Sequence, residues 1–275
     1  HGLQQYRTGD VFYDIGVFTN LTAEHLDYHK TMGRYFRSKA MLFDNLKASG
    51  TAILNRDDPR YAVLRKRIAN EVLTFSTERR ADFYARNIIG TIDGSSFDVV
   101  GPQGAISLQT PMIGKHNIAN CLAAVAIATT LKIGKRSIKE GIRNFTGAPG
   151  RLERVVAGQR PVVFVDYAHT DDALGNVLKT VRPFARGTLC AVFGCGGDRD
   201  RRKRARMGRI AAQWADRIII TNDNPRSESP RCIAEEILKG IRKKTKNYSI
   251  ILDRRAAISA ALTGASERDV ILIAG

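Results

Sequence analysis

The sequence predicts an α/β protein with two domains, the second built on a mainly parallel sheet. In the second half, short apolar runs typical of strands alternate with helical patterns, and this order is typical of parallel sheets. Gly147-Ala148-Pro149-Gly150 separates that regular half from a less regular first half. We therefore predict domains at residues 1–149 and 150–275, and a chain of 275 residues is long enough for both.

Charge and cysteine content limit the classes of function. The formal charge of +17 suits nucleic acid, a membrane surface or small anionic substrates. The densest basic run, Arg199 to Arg209, holds seven Arg or Lys but no aromatic residue to stack on bases, so we expect a solvated surface and no nucleic-acid partner. The longest apolar stretch is too short to span a membrane, and the cysteines form no metal-binding spacing. These features predict a cytoplasmic protein, which we expect to be monomeric.

The first half of the sequence shows no regular alternation of predicted strands and helices. Strands are predicted at 17–20 and 50–55, helices at 35–46, at 60–66 and at 121–131, and short strands with a hairpin at Asp93-Gly94 between 71 and 110. Asn117 either caps the apolar helix or reads a base edge. Ser137 to Glu140 forms a capping-box pattern that predicts the start of a helix ending at Asn144.

The second half is regular. Strands are predicted at 162–165, 189–193, 218–221, 249–252 and 270–274, and helices at 172–181, 204–214, 233–241 and 256–262. The alternation predicts a Rossmann-like layered domain.

Three of these strands end in polar clusters: Asp166 to Thr170, Gly194 to Asp200, and Asp223-Asn224-Pro225-Arg226. Open α/β sheets bind ligands at the carboxyl ends of their strands. Consecutive glycines let backbone N–H groups approach an anion, but the run is not GxGxxG, so no NAD site is predicted. Arg226 offers a planar fork suited to a carboxylate, and the alternative is a solvent-exposed turn residue.

Together these residues resemble one family. Val17 to Leu21, the run His25 to His29, and Lys39 are similar to the central domain of the Mur ligases. The three strand-end clusters are similar to the carboxy-terminal domain of the same family. The resemblance implies ATP-dependent amide formation through an acyl phosphate, with meso-diaminopimelate added to UDP-N-acetylmuramoyl-L-alanyl-D-glutamate.

The resemblance also implies roles for single residues. Lys39, carbamylated by carbon dioxide, is implied as a Mg²⁺ ligand together with His25, whereas His29 is expected on the surface. The residues implied to contact ATP are Asn117, Arg151, Asp166 and His169. Those implied to contact the UDP-muramoyl dipeptide are Gln5 and Arg7. Those implied for diaminopimelate are Arg199, Asp223, Asn224, Pro225, Arg226 and Gly275.

The sequence departs from the family by lacking the phosphate loop GxxxxGK[ST] and the uridine-binding domain. It begins at His1 and ends on the apolar run Ile271 to Gly275, so we expect a fragment that is inactive alone. Three alternatives remain: a ligase like folylpolyglutamate synthetase, a basic nucleic-acid-binding module, and a non-catalytic scaffold.

Overall fold

The computed structural model describes residues 2–8, 11–22, 26–242 and 244–275. It contains two compact units, His1–Thr146 and Gly147–Gly275. The division falls at the start of the Gly147-Ala148-Pro149-Gly150 segment.

Unit 1 is built on a six-stranded sheet of order β1-β2-β3-β4-β5-β6. Its strands are β1 Tyr13–Phe18, β2 Leu46–Asn55, β3 Glu71–Ser76, β4 Phe83–Thr91, β5 Gly94–Gly101 and β6 Gly104–Thr110. The first four strands run parallel, and β4, β5 and β6 form an antiparallel meander. The turn between β4 and β5 contains Asp93, so the hairpin predicted at Asp93-Gly94 is confirmed.

Helices cover both faces of this sheet. They are α1 Leu26–His29, α2 Met32–Asp44, α3 Tyr61–Arg67, α4 Lys115–Thr130 and α5 Lys135–Asn144. One core cluster joins α4 to the sheet through residues such as Leu122 and Phe75, and another joins α2 and α3 through Phe43 and Leu64. Helices on both faces explain why β2 is an unbroken apolar run over Ala52 to Leu54.

Two predicted helix starts in unit 1 are wrong. The residue before α4 is Gly114, not Asn117, and Asn117 lies inside the helix. The residue before α5 is Gly134, so α5 begins before the predicted capping box at Ser137. In both cases a glycine precedes the first helical residue, and no side chain caps the helix.

Unit 2 is a second α/β layer structure with a six-stranded sheet of order β11-β10-β9-β12-β8-β7. Its strands are β7 Glu153–Val155, β8 Val162–Asp166, β9 Leu189–Phe193, β10 Arg217–Ile220, β11 Tyr248–Ile250 and β12 Val270–Ala274. Its helices are α6 Asp171–Val181, α7 Arg202–Trp214, α8 Pro230–Ile241 and α9 Arg254–Leu262.

All pairings in this sheet are parallel except that of β7 with β8, so the predicted α/β class with a mainly parallel sheet is confirmed. The strands β9 and β12 are buried along their whole length, as expected for strands covered on both faces. None of the described helices combines the length and apolar character that crossing a bilayer requires.

Candidate functional site

Four neighbouring strands of unit 2 end level with one another. Ala274 pairs with both Asp166 and Phe193, and Phe193 pairs with Ile220. The segments that follow β8, β9, β10 and β12 therefore leave the sheet at one edge. After β9 the chain adds β10 and β11 outward, then returns to place β12 between β9 and β8. Open α/β sheets bind ligands beside such a reversal of strand order.

Two of these segments pack against each other. We call residues 194–200, after β9, the glycine loop, and residues 221–229, after β10, the arginine loop. Gly197 N donates a hydrogen bond to Asn224 O at 2.8 Å, and Arg226 Nη1 donates to Gly197 O at 2.6 Å. A Cβ on Gly197 would lie 1.8 Å from Pro225 O. The N–H of Gly197 is thus engaged with the arginine loop, and the residue allows close packing instead of offering its N–H to an anion.

Each of these two loops contains a residue whose backbone conformation is rare for residues other than glycine. Asp198 has φ of +53° and Arg226 has φ of +50°, and each left-handed residue other than glycine costs about 1 kcal/mol. The Asp198 carboxylate accepts hydrogen bonds from Ser227 N at 3.2 Å and Ser227 Oγ at 2.7 Å. Asp198 N donates to Glu228 Oε1 at 2.7 Å. These cross-links offset the backbone strain and keep the loops together.

Beneath the loops lies a fully buried arginine, Arg204 of α7. Its guanidinium forms ion pairs with Glu228 at 2.6 Å and with Glu236 of α8 at 2.9 Å, and it donates to Gly196 O at 3.3 Å. The hydrogen bond from Arg204 is the largest cause that lowers the pKa of Glu228 to about 2. Sequence reasoning missed this group, because its only local signal was an arginine within a basic run.

The basic run that the sequence assigned to solvated surface is extensively paired. Beyond Arg204, the pairs are Arg201 with Glu236, Arg202 with Asp200, Lys203 with His169 O, and Arg206 with Asp171. The solvated-surface interpretation is therefore wrong for the buried Arg204, whereas Arg201, Arg202 and Arg206 are paired but exposed. Because neighbouring carboxylates offset much of the positive charge, the run is a poor match for a phosphate backbone.

Three residues predicted for the site meet at this sheet edge. Asp166 is buried at the end of β8, where its Oδ2 accepts from Leu152 N at 2.7 Å and its backbone O accepts from Gly275 N at 3.0 Å. A Cβ on Gly275 would lie 4.0 Å from the carboxyl carbon of Asp223. Arg199 is exposed on the glycine loop. The structure thus brings Asp166, Asp223 and Gly275 together.

Arg151 and His169 both contact one aromatic ring, that of Tyr167. The Arg151 guanidinium is 5.3 Å from the centre of the Tyr167 ring, and the His169 ring is 5.4 Å from it in an edge-on arrangement. His169 Nδ1 lies 2.9 Å from Tyr167 O, and Lys203 Nζ of α7 donates to His169 O at 2.7 Å. An arginine, an imidazole and an exposed aromatic ring suit an anionic ligand with a planar group.

The predicted residues of unit 1 are placed as follows. Lys39 lies on α2, where its Nζ donates to Asn20 O at 3.0 Å and lies 5.2 Å from the centre of the Tyr35 ring. Asn117 Nδ2 donates to Ile113 O at 2.9 Å. Gln5 and Arg7 belong to a turn in which both backbone N–H groups donate to Gly2 O at 3.1 Å.

The histidine run is described only in part. His25 lies outside the described residues. His29 is only 2% exposed, and its ring stacks on Tyr35 with 4.8 Å between ring centres, so the predicted surface position for His29 is wrong. Within the described ranges, no three His, Cys, Asp or Glu residues form a cluster that would hold a metal ion.

Comparison with known protein families shows the class of protein to which this chain belongs. The family described as Mur ligase middle domain matches residues 1–128, and that described as Mur ligase, glutamate ligase domain, matches residues 150–275. The chain belongs to the Mur ligase family.

Two relatives show which member of the family this chain is similar to. The chain is 44% identical over 276 residues to UDP-N-acetylmuramoyl-L-alanyl-D-glutamate–2,6-diaminopimelate ligase of Gloeobacter violaceus, covering 100% of this chain and 56% of that protein. It is 42% identical over 281 residues to the ligase of the same name from Bacillus cereus, covering 100% of this chain and 57% of that protein. The chain thus spans a little over half the length of these relatives.

Solved structures agree with this placement. A structure of a ligase with that name matches with a TM-score of 0.66 and 36% identity, covering 100% of this chain and 57% of that one. Folylpolyglutamate synthase of Mycobacterium tuberculosis, complexed with ADP and AMPPCP, matches with a TM-score of 0.77 and 20% identity, covering 98% of this chain and 62% of that one. The second match shows a shared fold only.

Proposed function

We propose that this chain forms part of an ATP-dependent amide ligase that adds meso-diaminopimelate to UDP-N-acetylmuramoyl-L-alanyl-D-glutamate during peptidoglycan synthesis. The identity of 44% over the whole chain to a ligase of that name supports the proposal. The folylpolyglutamate alternative has only fold-level similarity in its favour. We further propose that the protein acts in the cytoplasm, because free thiols such as those of its four cysteines persist in reducing compartments.

Arg226 carries the argument for the amino acid. Its guanidinium lies beside the glycine loop and near Asp223, since a Cβ on Gly196 would lie 2.8 Å from Arg226 Nη1 and 3.7 Å from Asp223 Oδ2. A guanidinium has five N–H donors, and the contact with Gly197 O takes one of them. Diaminopimelate ends in a carboxylate and an ammonium, whereas lysine ends in an ammonium alone. Lysine would place its cation beside an arginine without supplying a carboxylate, so Arg226 selects against it.

The remaining pocket residues have supporting roles in this proposal. Asp223 is placed to receive an ammonium group of the amino acid, and Asn224 and Pro225 hold the arginine loop against the glycine loop. Arg199 is an exposed cation on the glycine loop and suits a carboxylate. We assign Gln5 and Arg7 to the UDP-muramoyl dipeptide on family resemblance.

For the nucleotide we assign Asn117, Arg151, Asp166 and His169. ATP, when bound, supplies the phosphoryl group that activates a carboxylate for amide formation. The fit rests on Arg151 and His169, which both contact the exposed Tyr167 ring and suit a charged ligand with a planar base. Asp166 is buried and hydrogen-bonded to the backbone, so its carboxylate is held in one orientation.

Magnesium fits the described residues less well. Lys39 ends in an ammonium that donates to a carbonyl, and the described part of the chain has no cluster of metal-ligating side chains. Carbamylation would replace that ammonium with a carboxylate-like group, and Lys39 with His25 stays our proposed metal pair.

The test compares two amino acids on the 275-residue chain. Calorimetric titration should show tighter binding of meso-diaminopimelate than of L-lysine. Arg226→Ala should weaken the binding of diaminopimelate but not that of lysine, by about 1.5–3 kcal/mol, which is roughly 10- to 150-fold. This is less than the roughly 2–5 kcal/mol of a buried charged pair, because Arg226 is exposed.

Arg231→Ala is the matched control, since Arg231 is an exposed arginine of α8 that pairs with Glu235 at 3.4 Å. It should leave both affinities unchanged. Equal affinity for the two amino acids, or equal losses in the two variants, would refute the proposed specificity. We expect ligase turnover from the chain only when it is joined to the phosphate-loop and uridine-binding parts of the family.

A further inference from the structure

We propose that Arg204 is a positioning residue that locks the glycine loop and the arginine loop into one rigid body, and so sets where Arg226 presents its guanidinium. The lock is inferred from contacts within unit 2. Only the identity of the ligand that Arg226 receives rests on the function proposed above.

Arg204 joins three elements at one buried point. From the first turn of α7, its guanidinium reaches both carboxylate oxygens of Glu228, with Nη1 at 2.8 Å and Nη2 at 2.6 Å. Nη1 also donates to Glu236 of α8 at 2.9 Å, and Nη2 donates to Gly196 O at 3.3 Å. A planar fork is the side-chain shape that satisfies several acceptors in fixed directions.

Glu228 connects Arg204 to both loops through hydrogen bonds. The Oε1 atom that accepts from Arg204 also accepts from Asp198 N at 2.7 Å. The carboxylate of Asp198 in turn holds Ser227, the residue that follows Arg226. The contacts form a closed ring that passes from α7 through both loops, so removing Arg204 opens the ring at its buried side.

The helices do not need this arginine to pack. A Cβ on Gly208 of α7 would lie 2.2 Å from Ile237 O of α8, and a Cβ on Gly240 would lie 1.9 Å from Ala205 O. Glycines already bring the two helices into backbone contact. A buried ion pair is weak evidence for stability, because an apolar side chain of similar volume often stabilises a core as well. The charge of Arg204 is therefore explained by the contacts that its guanidinium makes with the two loops.

The test measures amide hydrogen exchange in the 275-residue chain. Arg204→Met keeps the length of the side chain and removes its charge. It should speed exchange at least tenfold at Gly197 N and Asp198 N, whose acceptors lie in the arginine loop, and leave the amides of β8 and β12 unchanged. Arg204→Lys should not restore protection, because a single ammonium lacks the fork.

Two further variants separate local from general effects. Arg201→Met is the matched control: Arg201 is exposed, pairs with the same Glu236 and approaches Glu228 no closer than 4.0 Å, so exchange in the loops should not change. Glu228→Gln interrupts the same ring from a partly buried side chain of the arginine loop, and it should speed exchange at the same two amides. It therefore tests the lock even if Arg204→Met does not fold.

Ligand binding completes the test. Arg204→Met should weaken the binding of meso-diaminopimelate at least tenfold. Unchanged exchange at Gly197 and Asp198, acceleration throughout unit 2, or loosened loops with unchanged affinity would each overturn the proposal. If the unaltered chain binds no meso-diaminopimelate, the proposed amino-acid specificity fails, and the exchange result alone decides whether the lock exists.

Discussion

Gly197 is the position where a single methyl group tests the loop geometry most directly. In Gly197→Ala the new Cβ would lie 1.8 Å from Pro225 O, whereas ordinary contacts of this kind are about twice as long. The obstacle is a backbone carbonyl, which cannot turn away as a side chain does. The two loops must therefore separate by more than an ångström.

The magnitude follows from what that separation breaks. The hydrogen bonds from Gly197 N to Asn224 O and from Arg226 Nη1 to Gly197 O each contribute about 1 kcal/mol. Forcing a methyl group into a close-packed contact costs a further ~1–3 kcal/mol. We expect a loss of about 3–5 kcal/mol in the free energy of unfolding, which lowers the melting temperature of a unit of this size by roughly 10–20 °C.

Gly196→Ala is the matched comparison. Its Cβ would lie 2.8 Å from Arg226 Nη1, the mobile end of a long side chain, and 3.5 Å from Asn224 O. The arginine can move, so the free energy of unfolding should fall by less than about 1 kcal/mol. Because the guanidinium shifts, binding of meso-diaminopimelate should weaken several-fold while the fold stays intact.

Thermal unfolding followed by circular dichroism, together with calorimetric titration, separates these outcomes. Similar melting temperatures for Gly197→Ala and the unaltered chain would refute the close contact of the two loops. A large loss of stability in Gly196→Ala would show that the Arg226 guanidinium cannot move away from the new methyl group as expected.

Two further predictions concern titration and thiol reactivity. The pKa of Glu228 is lowered from 4.5 to about 2, chiefly by the hydrogen bond from Arg204. The stabilisation from this shift is complete above pH 4.5 and disappears as the pH falls towards 2. Glu228→Gln should therefore flatten the loss of stability in urea unfolding between about pH 5 and pH 2; an unchanged slope would contradict it. Burial raises the pKa of Cys195 to about 12 and those of Cys121 and Cys190 to about 11. Iodoacetamide at about pH 8 should therefore modify the exposed Cys232 alone, as read by mass spectrometry, and rapid labelling of the other three would contradict the fold.

The elements that sequence reasoning placed best are those with an unbroken apolar run. Strands β9 and β12 have the predicted ends, Leu189–Phe193 and Val270–Ala274, because every residue in them is apolar and buried. Helix starts were predicted late. α7 begins at Arg202 and not at residue 204, and α8 begins at Pro230 and not at residue 233, because polar first turns carry no apolar periodicity. β7, with three residues, gave no signal at all.

In the site, too, some features could be predicted from the sequence and others could not. The three polar clusters were predicted to share one edge because parallel strands point their carboxyl ends in one direction, and the level strand ends agree. Arg204 was not predicted to matter, since its partners Glu228 and Glu236 lie 24 and 32 positions away. Nothing local distinguishes it from the exposed arginines beside it.

By itself, the sequence determined the α/β class, the order of strands and helices in the second half, and the chemical character of the loops, because these depend on apolar periodicity and residue type among near neighbours. The tertiary structure alone decided that β12 is inserted between β8 and β9, that His29 is buried, and that one arginine of a basic run is enclosed while those around it stay exposed. These outcomes depend on which distant segments pack together, and burial in that packing gives identical side chains different environments.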